Sequence, residues 1–383
     1  MSKKQSVFWS FVQAVAIVSG TIIGAGVLGV PYAISQVGLL AGLMLLLLVG
    51  FCMCAVMLYV TEVAHSLEGR HQLTGYIEKY LGKQAKRVFT LAIGVNIYGA
   101  LLGYTIGQGE VLSSIFWGEE FIWSLMFFLS FSLFIVFGIN IIKKLEVFLT
   151  IFVTFLLVGI TVYMFGIIDT ENLLLINSFS GMSIMNTYGV LLFACFGLTA
   201  VPQVREILKK QSVSLMKKAV VVGSILPIVL YGLFAIAVIG VTGQNTSEIA
   251  VIQLGEQLGR WVVVAGSVLA FFAMASSFVA LGLAQRTIFE YDHKLPKSLS
   301  IIATLLVPVS LYVFGFRNFI EVIGFVGGLS LSLVGMVAVV LHYKMRASNN
   351  LKGSVGVKSY MIYSFVFCFF LVGMVSTLLM VFL

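Results

Sequence analysis

The stretch Gly20-Thr-Ile-Ile-Gly24-Ala-Gly26-Val-Leu-Gly29-Val-Pro31 decides how this chain is read. It lies inside an apolar run long enough to cross a bilayer. Yet Gly20, Gly24 and Gly26 fall within seven residues, and Gly29 and Pro31 follow. In a helix interior glycine costs about 1 kcal/mol and proline about 3 kcal/mol, so the run predicts a helix broken inside the membrane. Broken backbone at that depth leaves N–H and C=O groups that lipid cannot satisfy; they must face protein, a cavity or a ligand. Gly20 and Gly24 would also suit close helix packing of the small-xxx-small kind. Lys3 and Lys4 ahead of an apolar run fit a signal peptide, but the rest of the chain resembles this segment, which argues against that reading.

Hydrophobic residues make up 60% of the 383-residue chain and charged residues only 10%. Apolar runs of about 20 residues recur from end to end, the mark of an all-α polytopic membrane protein rather than an anchored soluble enzyme. The net charge of +8 would suggest nucleic acid in a soluble protein. Here the basic residues sit in short connections, where they set topology. Cys52, Cys54, Cys195 and Cys368 fall within spans without metal spacing, and the four histidines lie near span ends. No HExxH, GxSxG or Walker pattern is present, which argues against an enzyme or an ATP-driven pump. The spans lack the repeated polar linings of a channel.

Eleven spans are expected, at about 8–36, 38–66, 87–114, 121–142, 145–167, 183–206, 216–241, 259–290, 298–315, 318–343 and 359–383. With the N-terminus in the cytoplasm, 21 of the 23 Lys and Arg fall on the inner side and only Arg260 and Arg317 on the outer. That separation supports eleven spans and the inside N-terminus, which puts the C-terminus outside. Short surface helices are expected in the connections 67–86 and 243–258.

Span 6 carries Phe193-Ala-Cys-Phe-Gly-Leu-Thr-Ala-Val-Pro202, and Gly197 and Pro202 repeat the five-residue spacing of Gly26 and Pro31. Each interruption lies in the first span of a five-span block. The blocks, 1–167 and 183–343, are separated by an extracellular segment, 168–182, and followed by 344–383, a loop and an eleventh helix. Five is odd, so the second block runs inverted. Interrupted helices at matching positions of inverted halves point to a transporter's midplane site.

GTIIGAGVLGVP in span 1, FACFGLTAVP in span 6, ASSFVALGLAQ in span 8, and Tyr104 followed by Gly-x-Gly-Glu110 in span 3 resemble the hydroxy/aromatic amino-acid permeases. These belong to the amino acid/auxin permease group of the amino acid–polyamine–organocation superfamily. The resemblance covers essentially the whole chain. It implies a LeuT-type fold, with spans 1, 2, 6 and 7 rocking against 3, 4, 8 and 9, and ion-coupled uptake of a free amino acid at the cell membrane. A transporter-like sensor that binds an amino acid without net flux is the alternative.

A zwitterion needs donors for its carboxylate and acceptors for its ammonium. The start of the outer half of span 1, at Gly24, Ala25 and Gly26, offers free N–H groups and a positive dipole end. Carbonyls from Ser19 to Ile22, with those of Phe193 and Ala194, are expected around the ammonium. Thr21 offers a hydroxyl, either to substrate or to a carbonyl one turn back. Phe193, Cys195, Phe196 and Gly197 flank the second break, where the aromatics either cover the cargo or simply pack. By resemblance a span-3 tyrosine, Tyr104, faces the site. Also by resemblance, carbonyls of Gly20, Ile23 and Ala273 with the hydroxyls of Ser276 and Ser277 hold sodium in related carriers; proton coupling stays equally open. Glu62 and Glu110 are candidate proton or gating groups or structural partners near the headgroups. No charged residue adjoins either break, so a neutral amino acid is expected, tyrosine or tryptophan first. No cofactor beyond the coupling ion and no nucleic acid are expected, and the chain is read as a functional monomer in the lipid bilayer.

Overall fold

The computed structural model describes residues 3–24, 26–67, 73–138, 141–174, 180–209, 211–348 and 357–382. The helices run α1 (Lys3–Ile22), α2 (Gly26–Val37), α3 (Leu39–Ser66), α4 (Leu73–Phe116), α5 (Glu120–Phe137), α6 (Ile141–Phe165), α7 (Thr170–Leu173), α8 (Gly181–Ala194), α9 (Val201–Ile207), α10 (Val213–Thr242), α11 (Ala250–Leu258), α12 (Arg260–Thr287), α13 (Lys297–Val313), α14 (Phe319–Val326), α15 (Ser332–Ser348) and α16 (Val357–Phe382). Among the described residues nine helical segments are long and apolar enough to cross a membrane. In addition, α1 and α2 form a pair bent by 55°, and α13 is a shorter apolar helix.

Burial sorts these helices. The spanning window of α4 is 83% buried and that of α14–α15 78%, whereas those of α5, α6 and α16 are only 28% buried. The exposed faces carry large apolar side chains such as Leu129, Phe155 and Val372, the composition lipid requires. The central helices meet through small residues. Gly189 and Gly324 bring α8 and α14 to backbone contact, and Gly327, just past α14, meets Gly189 as well, the way helices associate where no hydrophobic drive separates them from lipid. A π-turn at Gly327–Leu331 joins α14 to α15 beside this contact.

Both surface helices expected in the connections are present. Residues from Leu73 form a separate helical piece that meets the span at Gly82, whose φ of 84° favours glycine. α11 follows the connection after α10 and packs on α12 through Val251 against Gly266.

Candidate functional site

The first interruption is a short turn between α1 and α2. Ile23 N–H still reaches the Ser19 carbonyl at 2.8 Å, but Gly24 N–H turns to Ile22 at 2.9 Å and Val27 N–H to Gly24 at 3.3 Å. The carbonyls four residues before these two donors, Gly20 and Ile23, therefore lose their helical partners. Ile22 does not share that fate: its oxygen also accepts the Tyr231 hydroxyl at 2.7 Å. Thr21 donates to the Ile17 carbonyl at 2.7 Å, one turn back, which leaves only its lone pairs for anything else. Ala25 lies outside the described residues.

The second interruption runs from Cys195 to Gly197 and continues as a 3₁₀ turn, Leu198–Ala200, into α9. Cys195 N–H bonds to Leu191 at 2.9 Å, Phe196 N–H to Phe193 at 3.3 Å and Ala200 N–H to Gly197 at 3.1 Å. The two interruptions touch. A methyl group placed on Gly26 would sit 2.5 Å from the Ala194 Cα, and one on Gly197 would sit 2.7 Å from the Ile22 side chain. Thr187 of α8 donates to the Ala33 carbonyl of α2 at 2.8 Å, tying the two half-helices beyond the breaks.

Two further helices close on this point. The position a Cβ would occupy on Gly24 lies 3.2 Å from the Ser277 Oγ of α12 and 3.6 Å from the Tyr104 hydroxyl of α4. The Tyr104 ring also meets Phe193 edge-on, centroids 6.4 Å apart. Tyr104, Phe193, Cys195 and Phe196 are all buried. Tyr98, six residues earlier on that helix, turns away and donates to Ala303 of α13 at 2.8 Å. Ser276 is spent locally, its hydroxyl 2.8 Å from the Phe272 carbonyl and 3.2 Å from that of Ala273. The arrangement can present peptide N–H groups, bare carbonyls, two hydroxyls and aromatic faces to one small molecule.

Residues 8–377 match the tryptophan/tyrosine permease family. The chain belongs to that family. It is therefore one of a family of membrane transporters of amino acids, and not an enzyme. The permease is 24% identical over 324 residues to glutamine transporter 2 of Aliivibrio fischeri, covering 81% of this chain and 83% of that protein. Its fold is similar to that of MhsT in complex with L-phenylalanine, with a TM-score of 0.69 at 17% identity and 97% of each chain covered. It is also similar to Mhp1, a nucleobase-cation-symport-1 family transporter, with a TM-score of 0.62 at 14% identity over 96% of this chain and 90% of that one. These likenesses place the permease among LeuT-type folds.

The two membrane carboxylates have opposite surroundings in the permease. Glu62 near the end of α3 is fully engaged. It accepts from Lys217 of α10, from His342 Nε2 of α15 at 2.6 Å and from Arg346 at 3.0 Å. The Tyr363 hydroxyl of α16 meets His342 Nδ1 at 2.7 Å, and Tyr59 stacks on the imidazole with centroids 4.6 Å apart. A carboxylate only accepts, so with a neutral imidazole Nε2 carries the proton and Tyr363 donates. Glu62 thus reads as a tie between four helices. Glu110, by contrast, lines an open cleft of about 820 Å³ on the opposite face, with Glu120, Glu248, Arg317 and Asn318 among its walls. Arg317 lies over the Phe121 ring at 4.7 Å and the Tyr312 ring at 5.4 Å, and Glu248 accepts from Asn318 at 3.2 Å.

Sequence reasoning missed Tyr231 and Thr150. Thr150 of α6 crowds Gly20, and a hydroxyl in an apolar helix was the only signal it gave. Tyr231 had a stronger one: a tyrosine in the middle of a span, away from the interface where tyrosines gather.

Proposed function

We propose that the permease is a secondary active transporter that takes up a neutral amino acid, aromatic first, by alternating access coupled to H⁺ or Na⁺. The observation that carries this reading is the meeting of the two helix interruptions, Gly26 against Ala194. Peptide groups from both breaks then surround one small volume without a charged side chain. The substrate carboxylate would take the N–H groups at the start of α2, at Gly24 to Gly26, where the helix dipole favours it; the Gly24 N–H would have to release the Ile22 carbonyl to join. The ammonium would face carbonyls of Thr21, Phe193 and Ala194. Tyr104, Phe193 and Phe196 would border the substrate side chain. A cation would lie by Gly20, Ile23 and Ala273 carbonyls with Ser277, whose hydroxyl already faces Gly24; hard oxygens suit sodium. Ser276 would have to release its intrahelical bonds to join. The family's description favours tyrosine and tryptophan; the name of the Aliivibrio fischeri relative adds glutamine to the candidates.

The reading extends to topology. Eleven crossings follow if the bent pair α1–α2 and α13 each count as one beside the nine long segments; the 17 residues of α13 reach roughly 25 Å. Two inverted five-span repeats, 1–167 and 183–343, with α16 appended, then put the N-terminus in the cytoplasm and the C-terminus outside the cell membrane. A monomer contains all the parts named. The test is uptake of labelled tyrosine, tryptophan and glutamine into proteoliposomes, with sodium and pH gradients imposed separately. Binding without gradient-driven accumulation would refute the transporter reading in favour of a sensor.

A further inference from the structure

α10 supplies none of the ligand contacts proposed above, yet it packs along the inner half of the broken first span. Pro227 lies inside α10. Proline has no N–H, so the carbonyl four residues earlier has no helical donor. That carbonyl belongs to Gly223, and the Ser19 hydroxyl of α1 donates to it at 3.0 Å. One turn beyond the proline, the Tyr231 hydroxyl donates in the other direction, to the Ile22 carbonyl at 2.7 Å. Ser19 and Ile22 are three residues apart on α1, and Gly223, Pro227 and Tyr231 are four apart on α10, so each set lies on one helix face. Between them Gly223 lets Val18 pack directly on the α10 backbone. Ser19, Ile22 and Tyr231 are all buried, so water offers no substitute for either bond.

We infer that Pro227 and Tyr231 are positioning residues, a two-point clasp that fixes the last turn of α1. The clasp takes the Ile22 carbonyl out of service. Among the carbonyls at the end of α1 it removes Ile22 from those open to a ligand or ion, so it selects which oxygens face them. The inference rests on the transport reading for its consequence, but not for its geometry.

The test uses the full chain in proteoliposomes and labelled L-tyrosine. Tyr231→Phe and Ser19→Ala each remove one bond and are expected to raise KM about threefold to tenfold, with maximal uptake per folded protein little changed. Pro227→Ala is the decisive variant. It restores an N–H that competes with Ser19 for Gly223, so KM rises as in Ser19→Ala although the helix itself gains propensity and thermal stability holds. A purely structural proline predicts unchanged KM. Unchanged KM in both Tyr231→Phe and Pro227→Ala, with normal uptake by the parent, overturns the clasp and leaves the transport reading intact. If the parent accumulates none of tyrosine, tryptophan and glutamine, the transport reading fails and the clasp is judged by a ligand-free readout. Cys195 is buried two residues before Gly197, which packs on the Ile22 side chain. With Cys52, Cys54 and Cys368 replaced by serine, alkylation of Cys195 by N-ethylmaleimide is expected about threefold to tenfold faster in Tyr231→Phe; equal rates overturn the inference.

Discussion

Replacing Gly26 with alanine should separate the two interruptions. The added carbon would stand 2.5 Å from the Ala194 Cα and 2.6 Å from its Cβ, whereas carbons in contact sit at about 3.5–4.0 Å. Both obstacles are attached rigidly to backbone, so α2 and α8 must part by about 1 Å. Overpacking of this kind costs about 1–3 kcal/mol of stability, which a folded permease can absorb. The larger effect falls on the substrate. A 1 Å shift of α2 misaligns N–H groups aimed at a carboxylate, and one such charge-assisted bond contributes about 1.5–3 kcal/mol. At about 1.4 kcal/mol per decade, the KM for uptake should rise roughly tenfold to a hundredfold. Initial rates of uptake in proteoliposomes measure this, with the thermal unfolding midpoint in detergent as the control for folding. Gly159→Ala is the matched control, because nothing lies within 4 Å of its added methyl; it should leave KM unchanged. Wild-type KM in a folded Gly26→Ala protein would refute the idea that the breaks share one ligand.

Further expectations concern the ion and the two carboxylates. Ser277→Ala should raise the sodium concentration for half-maximal uptake at least severalfold, and Ser276→Ala less, because the Ser276 hydroxyl is already bonded within its helix; uptake indifferent to sodium but following pH would sink the sodium assignment. Glu62→Gln leaves Lys217 and Arg346 without their counter-charge and should cost about 3 kcal/mol of stability, seen as a lowered unfolding midpoint with KM little altered. If Glu110 carries the coupling proton, Glu110→Gln should abolish acceleration by an imposed pH gradient while exchange of labelled for unlabelled substrate persists; retained acceleration removes Glu110 from the coupling path.

The amino-acid sequence by itself determined the solvent of this protein and the places where its helices fail. Apolar runs of bilayer length and basic residues confined to short connections are one-dimensional signals, readable without a fold. So are the glycines and prolines at Gly20–Pro31 and Gly197–Pro202, because the cost of a residue in a helix is local. Tertiary structure alone decided which freed groups stay free. Ile22 and Gly20 are two residues apart and alike in sequence terms, but a tyrosine more than two hundred residues away, Tyr231, occupies one and leaves the other. Glu62 and Glu110 likewise look equivalent as acids near span ends. One is saturated by cations from α10 and α15, and the other stands in an open cleft. Partnership between helices distant in the chain depends on their packing, and no local spacing encodes it.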